Sequence, residues 1–227
     1  GGQVLMAGGA ISGLPPTISN NVYLYDDPAR GNWATVSPLS GARARNTATP
    51  LLNGKVLVAG GWTNGDIYIK AAEIFDADSN TWSSAGALTT GRRYHTATLL
   101  SDGRVLLTGG LTSGDTPLVS VELYDPESNT WSNGPPMLQA RALHTATLLA
   151  DGHVLITGGY NSSGVLNTAE LFDPVSNTWT AAASLNTARR LHTATLLPDG
   201  KVLVAGGIGS GYLSSVEIYT PQTAVWS

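Results

Sequence analysis

The chain contains no cysteine, so it can form neither a disulfide nor a thiolate metal site. That absence leaves the compartment open. Charge is scarce: Asp, Glu, Lys and Arg make up 12% of the 227 residues, against roughly 25% in an average globular domain. Three residues are lysine and the formal net charge is −4. No basic stripe is available to neutralise phosphates, so nucleic acid is excluded as the expected partner. No run reaches the roughly 18 apolar residues that a membrane span needs, and no membrane insertion is expected. No leader is visible, because Gly1-Gly2-Gln3-Val4-Leu5 already reads as folded sequence. Low charge with abundant Thr, Asn and Gly leans towards a secreted or cell-surface protein. A nucleophile elbow, a P-loop and a His-Glu-x-x-His motif are also missing.

Glycine (27) and proline (12) are plentiful instead, and short apolar runs alternate with turn residues. That is the profile of many short strands, and the length suffices for one large all-β domain with a core. Self-similarity then fixes the organisation. Gly-Gly pairs begin at 8, 60, 109, 158 and 206, and Trp recurs at 33, 82, 131, 179 and 226. The fourth copy reads most clearly. Arg141 to Leu149 is a first strand, A; Asp151-Gly152 is a turn; His153 to Gly159 is strand B. After a variable loop, Thr168 to Asp173 is strand C, and a Pro174–Asn177 turn leads to strand D at Thr178-Trp179-Thr180. The A–B turns are Asn53-Gly54, Asp102-Gly103, Asp151-Gly152 and Asp199-Gly200, pairs that favour a two-residue type I′ hairpin. Strand B is apolar on both faces (Val105-Leu106-Leu107), as a strand sandwiched between neighbouring sheets must be. The strand D tryptophans are expected to be substantially buried, and helix to be nearly absent.

A four-stranded unit of about 50 residues resembles the kelch repeat. The resemblance rests on Arg-x-x-His, Gly-Gly, an aromatic before or at the strand C end (Tyr25, Phe75, Tyr124, Phe172, Tyr219) and the Trp, and it covers essentially the whole chain. It implies an all-β, kelch-type β-propeller of about five four-stranded blades in a single domain, 1–227. The repeats fall approximately at 1–40, 41–89, 90–138, 139–186 and 187–227. Strands B, C and D each occur five times, strand A four times, so the first blade is expected to lack its inner strand. Kelch propellers commonly close with a terminal strand that completes the first blade. Either the chain is a piece of a longer protein with six or seven blades, or it is a five-blade propeller with one three-stranded blade. Val4–Met6 would then offer an open edge, to be completed by a partner strand or by self-association.

His95, His144 and His192 occupy one repeat position, with Asn46 in the remaining copy. A residue repeated in every blade is expected to serve every blade, here by a hydrogen bond to a neighbouring strand; no metal site is expected. Arg43, Arg92, Arg141 and Arg189 stand three residues earlier, and Glu73, Glu122, Glu170 and Glu217 recur on strand C. Four Arg match four Glu, which favours structural pairs tying sheets together. The other reading is a ring of guanidinium groups at a channel mouth, able to hold a carboxylate bidentately. Some kelch domains of ubiquitin-ligase adaptors are similar in holding acidic peptides with arginines near this strand. The adjacent Arg45, Arg93 and Arg190 are not universal and are the better binding candidates. The run Asp76-Ala77-Asp78-Ser79-Asn80 resembles the start of a calcium loop but lacks the later ligands, and reads as a turn. Asn161-Ser162-Ser163 matches a glycosylation sequon at near-chance level.

The B–C loops (10–21, 62–70, 111–120, 160–167 and 208–214) escape the repeat. They carry Trp62, Asp66, Tyr68, Asp115, Tyr160 and Tyr212, aromatics with polar neighbours that suit a glycan or a peptide. Galactose oxidase, the catalytic kelch relative, needs a Tyr–Cys cross-link that this chain cannot form. The expected function is therefore a non-catalytic binding or scaffolding propeller with a protein or glycan partner and no cofactor. The alternatives are a structural spacer in a surface assembly and, as a minor one, an oxidase-like enzyme.

Overall fold

The computed structural model describes residues 3–11, 16–27 and 32–227. Gly1-Gly2, the middle of the first B–C loop and most of the first C–D turn lie outside them. The described residues form antiparallel sheets, with one 3-10 turn at Ser113–Asp115 as their helical element. Two compact units divide the chain: 1–93 with 126–131, and 94–125 with 132–227.

The first unit contains a three-stranded sheet of Val4–Ile11, Thr17–Asp27 and Asn32–Val36. It also contains a four-stranded sheet of Thr47–Pro50, Val56–Ala59, Ala71–Asp76 and Thr81–Ala87. No strand A pairs with Val4–Ile11 among the described residues, and Val4 and Met6 are each 53% exposed. In the second unit, the fourth repeat shows the complete order: Thr145–Leu148, Val154–Thr157, Ala169–Asp173 and Thr178–Ala182. Its register places Ala146 opposite Ile156, Leu155 opposite Leu171 and Phe172 opposite Trp179. The third and fifth repeats repeat this A–B–C–D order.

Strand B is buried throughout, from Val105 to Thr108 and from Val154 to Thr157. Strand C of the third repeat is equally dry on both faces, Glu122 and Tyr124 included. The aromatic of strand C meets the Trp of strand D directly: Phe75–Trp82, Phe172–Trp179 and Tyr219–Trp226 lie 4.9, 4.9 and 5.0 Å apart. Four indole N–H groups then donate to the preceding repeat, Trp82 to Ser37 O, Trp131 to Ala85 O, Trp179 to Pro135 O and Trp226 to Ala183 O.

Three expectations need correcting. Trp33 is 48% exposed; it stacks on Tyr25 at 5.3 Å, but among the described residues its indole makes no hydrogen bond of the kind that the other four make. Strand A begins at Thr145, not Arg141. Leu143 adopts φ 57°, as do Arg45, Tyr94 and Leu191 at the matching positions (φ 58°, 56° and 55°), and a left-handed residue cannot continue an extended strand. The A–B turn is not type I′, because Asp151 does not adopt a positive φ while Gly152 does (φ 88°). Gly152 N–H bonds Leu149 O, and Leu149 N–H bonds His153 O. That is a three-residue loop with glycine at the left-handed bulge position, and Asp151 Oδ1 accepts the His153 N–H at 3.1 Å.

The Gly-Gly pair is squeezed from two sides. A Cβ on Gly158 would fall on the Arg189 carbonyl oxygen and 3.0 Å from His192 Cε1, both in the next repeat. A Cβ on Gly159 would lie 2.7 Å from Ala142 O and 2.9 Å from His144 Cβ in its own repeat. Both residues also adopt a positive φ, 59° and 101°, which L side chains adopt at a cost. Gly158→Ala is therefore expected to destabilise the protein by about 3 kcal/mol or more. Gly54→Ala, at φ 80° with nothing within 4 Å, should cost about half of that or less. Urea unfolding of the two variants checks the difference; equal losses would mean that the contacts around Gly158 carry no strain.

Candidate functional site

The arginine that opens each Arg-x-x-His turn is fully buried and points into its own repeat. Arg141 Nη1 donates to Gly158 O (2.7 Å) and Thr168 O (3.1 Å), and Nη2 to Glu170 Oε1 (2.5 Å). Glu170 also accepts the backbone N–H of Leu138 (2.6 Å) and Gln139 (3.1 Å). Arg189 repeats the pattern with Gly206 O, Ser215 O and Glu217 (2.7 Å), and Glu217 accepts from Asn186 and Thr187. Arg43 pairs with Glu73, which takes the Ser40 N–H at 3.0 Å. Arg92 and Glu122 are buried at the matching positions. The pairs Arg43–Glu73, Arg141–Glu170 and Arg189–Glu217 each join strand C to the segment that enters strand A of the same repeat. Arg43, Arg141 and Arg189 therefore have no free heads to line a mouth. Burial lowers the affinity of the Arg141 guanidinium for its proton, and the Glu170 carboxylate opposes that shift. Burial acts to raise Glu217, but the N–H donors of Asn186, Arg189 and Thr187 outweigh it and hold the carboxyl below its usual range.

The histidines clasp the preceding repeat. His144 Nε2 lies 3.1 Å from Thr96 Oγ1 and 3.0 Å from Thr108 Oγ1; His192 Nε2 lies 2.9 Å from Thr145 Oγ1 and 3.1 Å from Thr157 Oγ1. His95 is buried at the equivalent place. In both resolved copies one nitrogen faces the two hydroxyls that link strands A and B. Nδ1 of His144 and of His192 is buried with no hydrogen-bond partner among the described residues. Burial, with Arg189 nearby, lowers His192 to about 4, and burial moves His144 well below its usual value. These side chains are neutral clasps at neutral pH. Asn46 fills the place in the second repeat and reaches Ala7 O at 3.4 Å.

The B–C loops bring sequence-distant candidates together. Trp62-Thr63 and Ile67-Tyr68 form a small hairpin, with Trp62 opposite Tyr68 and the left-handed, exposed Asp66 at its tip. The Arg93 guanidinium carbon sits 5.3 Å from the Trp62 ring centre and 5.4 Å from that of Tyr68. In the fourth repeat Tyr160-Asn161 pairs with Gly164-Val165, and the Arg190 guanidinium lies 5.2 Å from the Tyr160 ring. Contacts of this kind contribute about 0.5–2 kcal/mol each. Arg45 does not belong to this set. It stands two residues after Arg43, at the left-handed position, and is exposed; Arg93 and Arg190 stand one residue after theirs. Asp115 is exposed at φ 54° in the 3-10 turn, and the Tyr212 side chain is 93% exposed.

These stacks were missed in the sequence, although a signal existed there. The residue after Gly-Gly and the residue after the next repeat's first arginine change together: Trp62 with Arg93, Leu111 with Ala142, Tyr160 with Arg190. Both members of the apolar combination are buried.

At the other end of the sheets, the C–D runs are turns closed on themselves. Asp76 Oδ1 accepts from Asp78 and Ser79 N–H, and Asp173 accepts from Val175 N–H and Ser176 Oγ. The same end holds a cleft of about 560 Å³ beside Asp102, Asp151, His153 and Asp173. His153 Nδ1 lies 3.2 Å from Asp151. Among the described residues no three His, Cys, Asp or Glu side chains are grouped to hold a metal ion, and no helix is long and apolar enough to cross a membrane.

A family model described as Kelch motif matches residues 43–89, 92–138, 141–186 and 189–227. A solved structure titled "Structure of YjhT" superposes with a TM-score of 0.82 at 17% sequence identity, covering 100% of this chain and 80% of that one. No curated protein sequence matches.

Two predictions follow the buried network. Arg141→Ala strands the Glu170 carboxylate and should cost about 3–5 kcal/mol. The Arg141→Ala/Glu170→Ala double variant should fall short of the summed losses by at least about 1 kcal/mol in urea unfolding; additive losses would mean that the pair is not coupled. The second concerns acid. His192 is held near 4 when folded and titrates near 6.5 when unfolded, so the unfolded chain binds the proton more readily. The clasp's contribution is complete above about pH 6.5 and is lost as pH falls towards 4, by about 2 kcal/mol at pH 5. His192→Asn, the residue the chain itself uses at 46, should remove that part of the pH dependence between 7 and 5. The remainder reports the other acid-sensitive groups.

Proposed function

The chain belongs to the kelch repeat family and is an all-β propeller of that type; from this premise we propose that it is a non-catalytic binding module whose B–C hairpins engage a protein or glycan partner. The kelch propeller fold supports a binding or scaffolding role in general. The observation that carries the finer reading is the pair of arginine–aromatic stacks, Arg93 on Trp62 and Tyr68 and Arg190 on Tyr160. They occupy the segments that depart from the repeat, and half-exposed aromatics beside cations are suited to recognition. The buried Arg, Glu and His positions are committed to the scaffold and leave recognition to these loops. Placement outside the cell or on its surface belongs to this proposal and rests on composition.

A second reading, a spacer in a larger surface assembly, draws on the edge strand Val4–Ile11. Its exposed Val4 and Met6 accompany a backbone edge that no strand pairs with among the described residues, and such an edge accepts another strand.

Glycan and peptide arrays probed with the labelled protein separate the two. Binding is expected that is lost in Trp62→Ala/Tyr160→Ala and retained in Lys55→Ala, at the far end of the sheets. An array without any hit that depends on the hairpins would leave the spacer reading in its place.

A further inference from the structure

Among the described residues Arg190 has no counter-ion, unlike Arg43, Arg141 and Arg189. Its guanidinium lies over Tyr160, and its Nε is buried without a hydrogen-bond partner among the described residues. The two loops around it, 160–167 and 208–214, contain no Asp, Glu, Lys or Arg. A half-buried, unpaired cation in a chain of net charge −4 is electrostatically unfinished: desolvation disfavours it, and stacking on one ring leaves its in-plane N–H donors unused. The backbone adds a second element. Arg190 and Ile208 exchange both backbone hydrogen bonds, 3.0 and 2.8 Å, and Ile208 is bridged in turn to Tyr212. Residues directly opposite each other project to the same face, so Arg190, Ile208 and Tyr212 share one side of a short ladder. Tyr212 contributes an almost fully exposed ring there, and the flanking Ser162, Ser163 and Ser210 expose hydroxyls.

We propose that Tyr160, Arg190 and Tyr212 form a subsite for an anionic saccharide. Its oxyanion accepts hydrogen bonds from the guanidinium edge, and the apolar C–H face of a sugar residue lies on Tyr212. The serine hydroxyls serve the remaining sugar hydroxyls. A peptide would draw affinity from an open strand edge, from apolar pockets or, if acidic, from a cluster of arginines, and these two loops add no second cation to Arg190. Here Ile208 is already paired on both sides, and the loop side chains are mainly Ser, Asn and Gly. This deepens the binding reading above and rests on it.

Titration calorimetry with four probes tests the subsite: oligogalacturonate for carboxylate, a sulfated heparin disaccharide for sulfate, a neutral malto-oligosaccharide, and polyglutamate. One of the two anionic saccharides is expected to bind more tightly than the neutral one, with affinity falling as NaCl rises, and which one binds identifies the oxyanion. Arg190→Ala should weaken that binding by about tenfold or more, and Tyr212→Ala by several-fold. Arg190→Ala is expected to fold, because Ala44 and Ala142 hold the same repeat position; a melting curve verifies it. Failure of both anionic saccharides to bind, or binding indifferent to Arg190→Ala, overturns the proposal. Arginine-dependent binding of polyglutamate alone overturns it in favour of an acidic peptide. In either event, array binding that depends on Trp62 would leave the broader loop-binding reading standing.

Discussion

One backbone contact recurs wherever a repeat meets the next. The second glycine of the Gly-Gly pair donates its N–H to the carbonyl of the following repeat's first arginine: Gly9 to Arg43, Gly61 to Arg92, Gly110 to Arg141 and Gly159 to Arg189, all at 2.8–2.9 Å. For that carbonyl to reach the glycine, the arginine backbone must come within a distance that no Cβ would allow. The arginine side chain must also be fixed, and a guanidinium is the group that can hold two carbonyls and a carboxylate at once. Glycine pair, buried arginine and strand C glutamate are therefore one device. The histidine completes it by laying its imidazole against the first glycine of the preceding repeat and its Nε2 between two threonine hydroxyls. The acid-labile neutrality of the histidines and the strain expected at Gly158 are two consequences of the same close approach.

The repeat was legible because the parts of this device recur at a nearly constant period. Gly-Gly, Arg-x-x-His and Trp mark fixed points of one geometry, so their period reports the architecture directly. The pairing of Arg with Glu could be anticipated from their matched number. Which Glu serves which Arg could not: Arg141 selects Glu170 of its own repeat, because the turn before strand A folds back over the end of strand B, and only backbone geometry reveals that. The same left-handed residue, Leu143 in the fourth repeat, explains why strand A starts later than its sequence suggests. An Asp-Gly pair fixes the place of the tight A–B turn but not its type, since it fits either a two-residue hairpin or the last two positions of a three-residue loop. The carboxylate of Asp151 bonded to the His153 N–H selects the second.

The candidate site was less legible, for a different reason. Its members come from separate repeats, and nothing in the linear order of Trp62, Tyr68 and Arg93 says that they meet. What joins them is the offset built into the scaffold: the residue after one repeat's Gly-Gly faces the residue after the next repeat's buried arginine. Once that offset is known, the sequence can be read again. Large aromatics at the first position accompany arginine at the second, and leucine accompanies alanine. The two combinations differ in chemistry, one cationic at its edge and one wholly apolar.

That alternation bears on where specificity can reside. A leucine–alanine junction exposes nothing but packing and can be kept for stability alone. An arginine laid on an aromatic ring stabilises the junction by about 0.5–2 kcal/mol, and it also brings a charge and several directed donors to the loop face. Leu111 and Ala142, at the same two repeat positions, are both buried without any charge. Arg190 on Tyr160 has no carboxylate partner among the described residues, and this is the feature on which the proposed anion subsite rests. The buried Arg–Glu network makes the same point by contrast, because there each resolved guanidinium is paired and enclosed, and nothing remains for a ligand to take.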